Sequence, residues 1–151
     1  MINRFTAFAE AQKLYEPADR ILLAVSGGID SMAMWRLFDR TGIDYAIIHC
    51  NFQLRGKESD ADELFLHDFA MKHNIPFYNI KFDTKEYKQN KDVSTQMAAR
   101  ELRYNWFEQI RKENHYHSIA VAHHLDDQFE TVLLNMTKGT GIKGLTGMQP
   151  K

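Results

Sequence analysis

The chain has 151 residues, 44% hydrophobic and 26% charged, which is enough for one compact domain with a real core and ordinary for a soluble globular protein. A formal net charge of −1 gives no overall basic field, so any RNA contact must come from a local patch or from segments beyond this sequence. One cysteine, Cys50, excludes an internal disulfide framework and a multi-cysteine zinc or iron–sulfur site, and fits a reducing cytoplasm.

Met1 to Tyr15 mixes Arg, Glu and Lys into its apolar residues, unlike a signal peptide, and no apolar run is long enough to span a membrane. Phe5, Phe8 and Ala9 share one face of a short amphipathic helix that ends at Pro17. The run Arg20 to Val25 reads as a first strand. It enters Ser26-Gly27-Gly28-Ile29-Asp30-Ser31, a Gly-rich turn, with a helix opening at Asp30 or Ser31 and carrying Met32, Leu37 and Phe38. That helix stops near Thr41-Gly42. Tyr45 to Cys50 is apolar throughout, as a parallel strand covered on both faces should be. A polar connection from Asn51 to Asp60 leads to a helix with Leu64, Phe65, Leu66, Phe69 and Ala70. Ile75 to Ile80 reads as strand three, with Pro76 at its start. Asp83 to Asp92 is charged and reads as a mobile loop. A long helical pattern covers Val93 to Glu113. Strand four is Ser118 to Ala122. A helix over His124 to Thr137 and a Gly-rich stretch from Gly139 to Gly147 follow.

Strands alternating with helices at this spacing predict an α/β fold, a doubly wound parallel sheet with helices on both faces. Ligands of such sheets bind beyond the carboxyl ends of the strands, where the strand order switches. Polar clusters follow strands one, two and four: Ser26 to Ser31, His49 to Arg55, and His123 to Glu130. All three are expected on that one edge.

Each cluster has chemistry to offer and a plain alternative. Two glycines let the backbone turn sharply and approach a ligand. Backbone N–H groups and the first turn of the helix suit a phosphate, and the hydroxyls of Ser26 and Ser31 add donors. Asp30 would repel a bare phosphate, which points to a bridging cation. The alternative is a tight turn with no ligand. The turn is not a Walker A loop, since no Gly-Lys-Ser/Thr follows. His49 and Asn51 lie where a nucleotide base could sit, or they merely end a strand. Arg100 and Arg103 share a helix face with Tyr104 and suit phosphate or carboxylate, or they belong to a solvated face with Glu101 and Glu108. Asp126, Asp127 and Glu130, with His123, cluster on the first turns of a helix and could hold Mg²⁺ or an ammonium group. Simple N-terminal capping explains the two aspartates but explains Glu130 and the paired histidines poorly. Gly139 to Gly144 spells GxGxxG, but it follows a helix and is no dinucleotide fingerprint.

Ser26 to Ser31 resembles the SGGxDS pyrophosphate loop of enzymes that split ATP between its α and β phosphates. Further blocks narrow the resemblance. They are His49-x-Asn51-x-x-Leu54-Arg55-Gly56, Ala99-Arg100-x-x-Arg103-Tyr104, Ala122-His123-His124-x-Asp126-Asp127-Gln128-x-Glu130-Thr131 and Gly139-x-Gly141-x-x-Gly144-Leu145-x-Gly147-Met148. Together they resemble the bacterial tRNA(Ile)-lysidine synthetase family, over about Arg20 to Met148. The resemblance implies the adenine nucleotide alpha hydrolase-like fold and an ATP-dependent, Mg²⁺-assisted ligation in the cytoplasm. C2 of the wobble cytidine of tRNA(Ile) with a CAU anticodon is adenylated, and the amine of L-lysine then displaces AMP. It implies that Ser26, Gly27, Gly28, Ile29 and Ser31 hold the β,γ-phosphates and that Asp30 positions the metal. His49 and Asn51 would flank adenine or ribose, and Arg100 and Arg103 would meet phosphate or the cytidine. Asp127 and Glu130 would grip the lysine ammonium, with Asp126 serving the metal. Family members run on into further tRNA-gripping domains, so residues 1–151 are expected to be the N-terminal ATP-binding catalytic domain of a longer protein. No membrane partner is implied, and a homo-oligomer is left open. A tRNA thiolase, an amidotransferase synthetase domain and a non-catalytic ATP-binding module are the alternatives.

Overall fold

The computed structural model describes residues 2–83 and 94–122. The charged loop expected over Asp83 to Asp92, save Asp83 itself, the helix expected from His124 and the Gly-rich block from Gly139 lie outside the described residues. The chain divides into two compact units, Met1–Val121 and Ala122–Lys151, and the first holds every helix and strand described below.

Helix α1 (Ile2–Ala11) precedes strand β1 (Arg20–Ala24), helix α2 (Ile29–Asp39) and strand β2 (Asp44–Asn51). Helix α3 (Lys57–Lys72), strand β3 (Phe77–Lys81), helix α4 (Thr95–Glu113) and strand β4 (Ser118–Val121) complete it. The four strands form one parallel sheet in the order β3-β2-β1-β4. The chain therefore builds outward from β1 through β2 to β3 and then returns to the other side of β1. Right-handed crossovers on such a path put the outward helices on one face and the returning helix on the other.

The packing follows that rule. Ile21, Leu23, Val25 and Ile47 face Trp35, Phe38 and Leu66, with Phe5 and Phe69 against them, so α1, α2 and α3 share this face. Leu22, Ala46 and Ile48 face Phe107, with Trp106 and Ile110 of α4 beside it. Strand residues that alternate between two covered faces are apolar at every position, which is why Ile21 to Leu23 and Ala46 to Ile48 read as unbroken runs. Burying each large side chain is worth roughly 1.5–3 kcal/mol, so these runs hold the register. That register aligns Ala24 with Ile48 on one side and Val121 on the other. The carboxyl ends of β1 and β4 thus lie level, β2 runs on past them to Asn51, and the strand order switches between β1 and β4.

Several boundaries differ from those expected. Helix α2 opens at Ile29 behind an N-cap at Gly28, earlier than Asp30 or Ser31, because the Ser31 hydroxyl is turned back into the loop. Strand β2 runs to Asn51, so His49 and Asn51 belong to the strand. Helix α3 begins at Lys57, inside the span read as a connection, just after Gly56 at φ +54°. Strand β3 starts at Phe77. Pro76 lies before it, and its carbonyl accepts from the Ile47 N–H at 2.9 Å. Ser94 caps α4, its hydroxyl accepting from Met97 N–H at 3.2 Å. No helix among the described residues is long and apolar enough to cross a membrane.

Candidate functional site

The turn after β1 is built from its own serines. The Ser31 hydroxyl accepts from the Ser26 N–H at 3.2 Å and donates to the Gly28 carbonyl at 2.9 Å. The Ser26 and Ser31 hydroxyls lie 3.2 Å apart, and the Gly28 N–H points at Ser26 Oγ at 3.4 Å. Ser31 is only 5% exposed, so its hydroxyl acts as an internal brace. Gly27 has φ +89°, a backbone region that other residues enter only with strain. Helix α2 then begins with Gly28 at its N-cap and no side-chain cap. Ser26, Gly28, Ile29 and Asp30 are exposed, Ile29 at 84%. An uncapped helix start with its peptide dipoles aimed outward, beside a serine hydroxyl, is a fit for an anion such as a phosphate.

The turn is tied to β2 by His49. Its Nδ1 lies 2.9 Å from the Val25 carbonyl oxygen. A carbonyl only accepts, so Nδ1 carries the proton. Burial lowers the pKa of His49 below its ordinary value of 6.5, against the pull of that hydrogen bond and of Glu63 and Asp62, with Arg103 adding to the depression. The ring is therefore neutral, and its Nε2 is a bare acceptor, buried without a partner among the described residues.

Asn51 is 1% exposed and fully engaged. Its Nδ2 faces the Ser59 carbonyl at 3.3 Å, Asp60 Oδ1 at 2.9 Å and Glu63 Oε2 at 2.8 Å. Its Oδ1 accepts from the Gln53 N–H at 2.9 Å. Glu63 also accepts from Asn79 at 2.6 Å, and Lys81 reaches Asp60 at 2.9 Å and Glu63 at 3.4 Å. This network pins the start of α3 to the ends of β2 and β3. Asp62 of the same helix lies 3.9 Å from where a Cβ on Gly27 would stand, and Arg55 pairs with Asp62 at 2.9 Å.

Arg100 and Arg103 are separated by their surroundings. Arg100 is exposed and lies over the Tyr104 ring at 5.2 Å. Arg103 falls on the sheet-facing stripe of α4 with Ala99, Trp106, Phe107 and Ile110, and its guanidinium lies over the Phe52 ring at 5.2 Å. Phe52 follows β2 directly and stacks on Phe82, which follows β3, at 5.7 Å and 21°. Cys50, half-buried beside them, has its thiol pushed up to about 12 by burial, so it is no thiolate at neutral pH.

Among the described candidates the fold gathers Ser26, Gly27, Gly28, Ile29, Asp30, Ser31, His49, Asn51 and Arg103 at the carboxyl edge of the sheet. Asp126, Asp127 and Glu130 lie outside the described residues. Within those described, no group of three His, Cys, Asp or Glu side chains could hold a metal ion. The sequence gives no direct sign of the roles of Asp62 and Glu63, which lie just past the connection read over Asn51 to Asp60, or of Phe52 and Phe82. The alternating pattern of β2 and β3 carried past their ends was the available signal for the two phenylalanines.

Several known proteins are similar to this chain in sequence. The tRNA(Ile)-lysidine synthase of Bacteroides thetaiotaomicron is 47% identical over 149 residues, covering 99% of this chain and 35% of its own length. The enzyme of the same name from Parabacteroides distasonis is 44% identical across 100% of this chain and 34% of its own. That of Chlorobaculum tepidum is 42% identical across 97% and 46%. The chain thus spans between a third and a half of the length of these relatives. The PP-loop domain profile matches residues 2–151. On that match, which runs almost end to end, the chain belongs to the PP-loop domain family.

Proposed function

We propose that this chain supplies the ATP-using part of a ligase that joins L-lysine to C2 of the wobble cytidine of tRNA(Ile) with a CAU anticodon. The observation that carries the reading is the braced, uncapped turn at Ser26 to Ser31, fixed to the end of β2 through His49 and Val25. The names of the relatives above favour this ligation over sulfur transfer, and so does a thiol at Cys50 that burial keeps protonated.

The turn would cradle the β,γ-phosphates of ATP with backbone N–H groups and the Ser26 hydroxyl. The cytidine C2 oxygen would attack the α-phosphorus and pyrophosphate would leave. The lysine amine would then form the C2–N bond as AMP departs with the oxygen. Arg103, and Arg100 beside it, would offset the negative charge that builds up on the phosphates. Asp30 and Asp126 would hold Mg²⁺, which would supply positive charge against the departing pyrophosphate. His49 would offer its bare Nε2 to the nucleoside, while Asn51 would shape the pocket through α3. Asp127 and Glu130 would hold the lysine ammonium. The domains that grip tRNA would lie outside this chain, whose near-neutral charge gives little attraction for a phosphate backbone. Reaction in the cytoplasm suits an enzyme acting on tRNA.

The test is AMP release from ATP by the full-length protein. Dependence on both lysine and the CAU tRNA supports the reading. Dependence on a sulfur donor, or ATP binding without turnover, defeats it. Asp127→Asn and Glu130→Gln should each raise the KM for lysine and leave that for ATP alone.

A further inference from the structure

The way Arg103 is held gives its role in the function proposed above, on which that role rests, a structural basis. In the register of β2 and β3, Cys50 pairs with Ile80 and Asn51 with Lys81. The Phe82 N–H donates to the Asn51 carbonyl at 2.8 Å, which carries the ladder one step beyond the strands. Phe52 and Phe82 are therefore cross-strand neighbours on the α4 side, and they stack. Trp106, on the stripe of α4 that packs on the sheet, meets Phe82 edge-on at 6.4 Å and Phe107 at 6.0 Å. The aromatic series thus runs from the core to the rim and ends under the Arg103 guanidinium. Among the described residues Arg103 is laid on a ring and paired with no carboxylate. Its charge is still felt by His49 and Cys50. An arginine fixed by a carboxylate is already neutralised. An arginine fixed by a ring keeps its full charge and its fork of donors for an incoming anion.

We propose that Phe52, backed by Phe82 and Trp106, is a positioning residue that holds the Arg103 guanidinium at the carboxyl edge of the sheet to meet a phosphate of the bound nucleotide. Phe52 itself need not touch substrate. A side chain that acts only through Arg103 must lose its influence once Arg103 is gone, whereas one that merely stabilises the fold would not.

The test is a double-mutant cycle in the full-length protein with Phe52→Leu, Arg103→Met and the pair, plus Phe52→Tyr as the ring-preserving control. The kinetic readout is kcat/KM for lysine- and tRNA-dependent AMP release. The structural readout is the Nε–Hε resonance of Arg103 under arginine-selective labelling, identified by its loss in Arg103→Met. Expected are an upfield ring-current position in the wild type, lost in Phe52→Leu and kept in Phe52→Tyr. A roughly five- to thirty-fold fall in kcat/KM for Phe52→Leu should go with it, matching the scale of a partly desolvated cation–π contact. Phe52→Tyr should stay near wild type, and Phe52→Leu should add nothing to Arg103→Met. Wild-type kinetics in Phe52→Leu, multiplying effects in the double variant, or no upfield position in the wild type would overturn the proposal. Should Phe52→Leu fold poorly, Phe52→Met takes its place in the cycle. If the wild type shows no turnover that depends on lysine and tRNA, the proposed function fails. The same cycle read on the Kd for ATP then decides the role of Phe52, coupling supporting it and additivity overturning it.

Discussion

The Nδ1 of His49 stands 2.9 Å from the carbonyl oxygen of Val25, the residue that hands β1 over to the Gly-rich turn. One buried imidazole thereby fixes the turn to the neighbouring strand. The bond also decides the tautomer, leaving Nε2 as an acceptor with no partner among the described residues.

This has a pH consequence. The folded pKa of His49 lies below 6.5, chiefly through burial, so below pH 6.5 the unfolded chain takes up a proton that the folded chain refuses. The stability contribution is complete above about 6.5 and is lost as pH falls from there towards the folded pKa. Long-range ¹H–¹⁵N spectra should show a neutral ring protonated at Nδ1 at pH 7 and a titration midpoint below 6.5. A midpoint at or above 6.5 would mean that the ring is not held in this way.

Ser31→Ala removes the hydroxyl that joins Ser26 N–H to the Gly28 carbonyl. With an unpaired N–H left in a half-buried turn, the expected loss is about 1–3 kcal/mol in chemical denaturation. Affinity for ATP should fall with it. Ser26→Ala leaves the Ser31 brace in place and should cost less stability.

Gly27→Ala tests backbone strain rather than crowding. Asp62 lies 3.9 Å from the new Cβ, an ordinary contact, while φ +89° is unfavourable for alanine. A cost of about 1–3 kcal/mol is expected by denaturation, and Asp62→Ala should not relieve it. Relief by Asp62→Ala would point to a clash instead.

Asn51→Asp puts a carboxylate against Asp60 and Glu63, where an amide N–H₂ now bridges them. The expected loss is roughly 3–5 kcal/mol at neutral pH, the scale of an uncompensated buried charge. In the wild type, burial pushes the Glu63 carboxyl up, but donors from Asn51 and Asn79 and the Lys81 charge outweigh it and hold it below 4.5. Lys81 and Asn51 lower Asp60 likewise. Stability from this network is present above about pH 4.5 and lost as pH falls through the folded values. Denaturation at pH 7 and pH 4 should show the decline.

Local chemistry read well from the chain where one interaction dominates. The apolar runs of β1 and β2 could only be strands covered on both faces, and a Ser-Gly-Gly run after a strand could only be a tight turn. What the sequence hid was long-range polar pairing. Asn51 looked like a ligand contact because its partners Ser59, Asp60 and Glu63 sat in or beside a stretch that lacked apolar periodicity and read as loop. Arg100 and Arg103 are three apart and on spacing alone form a pair. Helical spacing says which residues are neighbours, but not which of them meets the sheet. Only the stripe of Ala99, Arg103, Trp106, Phe107 and Ile110 tells them apart, and it places a cation in a series of packing positions.

The most direct measurement is the transfer itself. The full-length protein is incubated with ATP, isotopically labelled lysine and a CAU tRNA(Ile), and the nucleosides are then weighed by mass spectrometry. The expected result is a cytidine heavier by the labelled lysine residue, formed only with ATP and sharply reduced by Ser31→Ala and Arg103→Lys. ATP consumed with no label in the tRNA, or label transferred equally well by those two variants, would contradict the account.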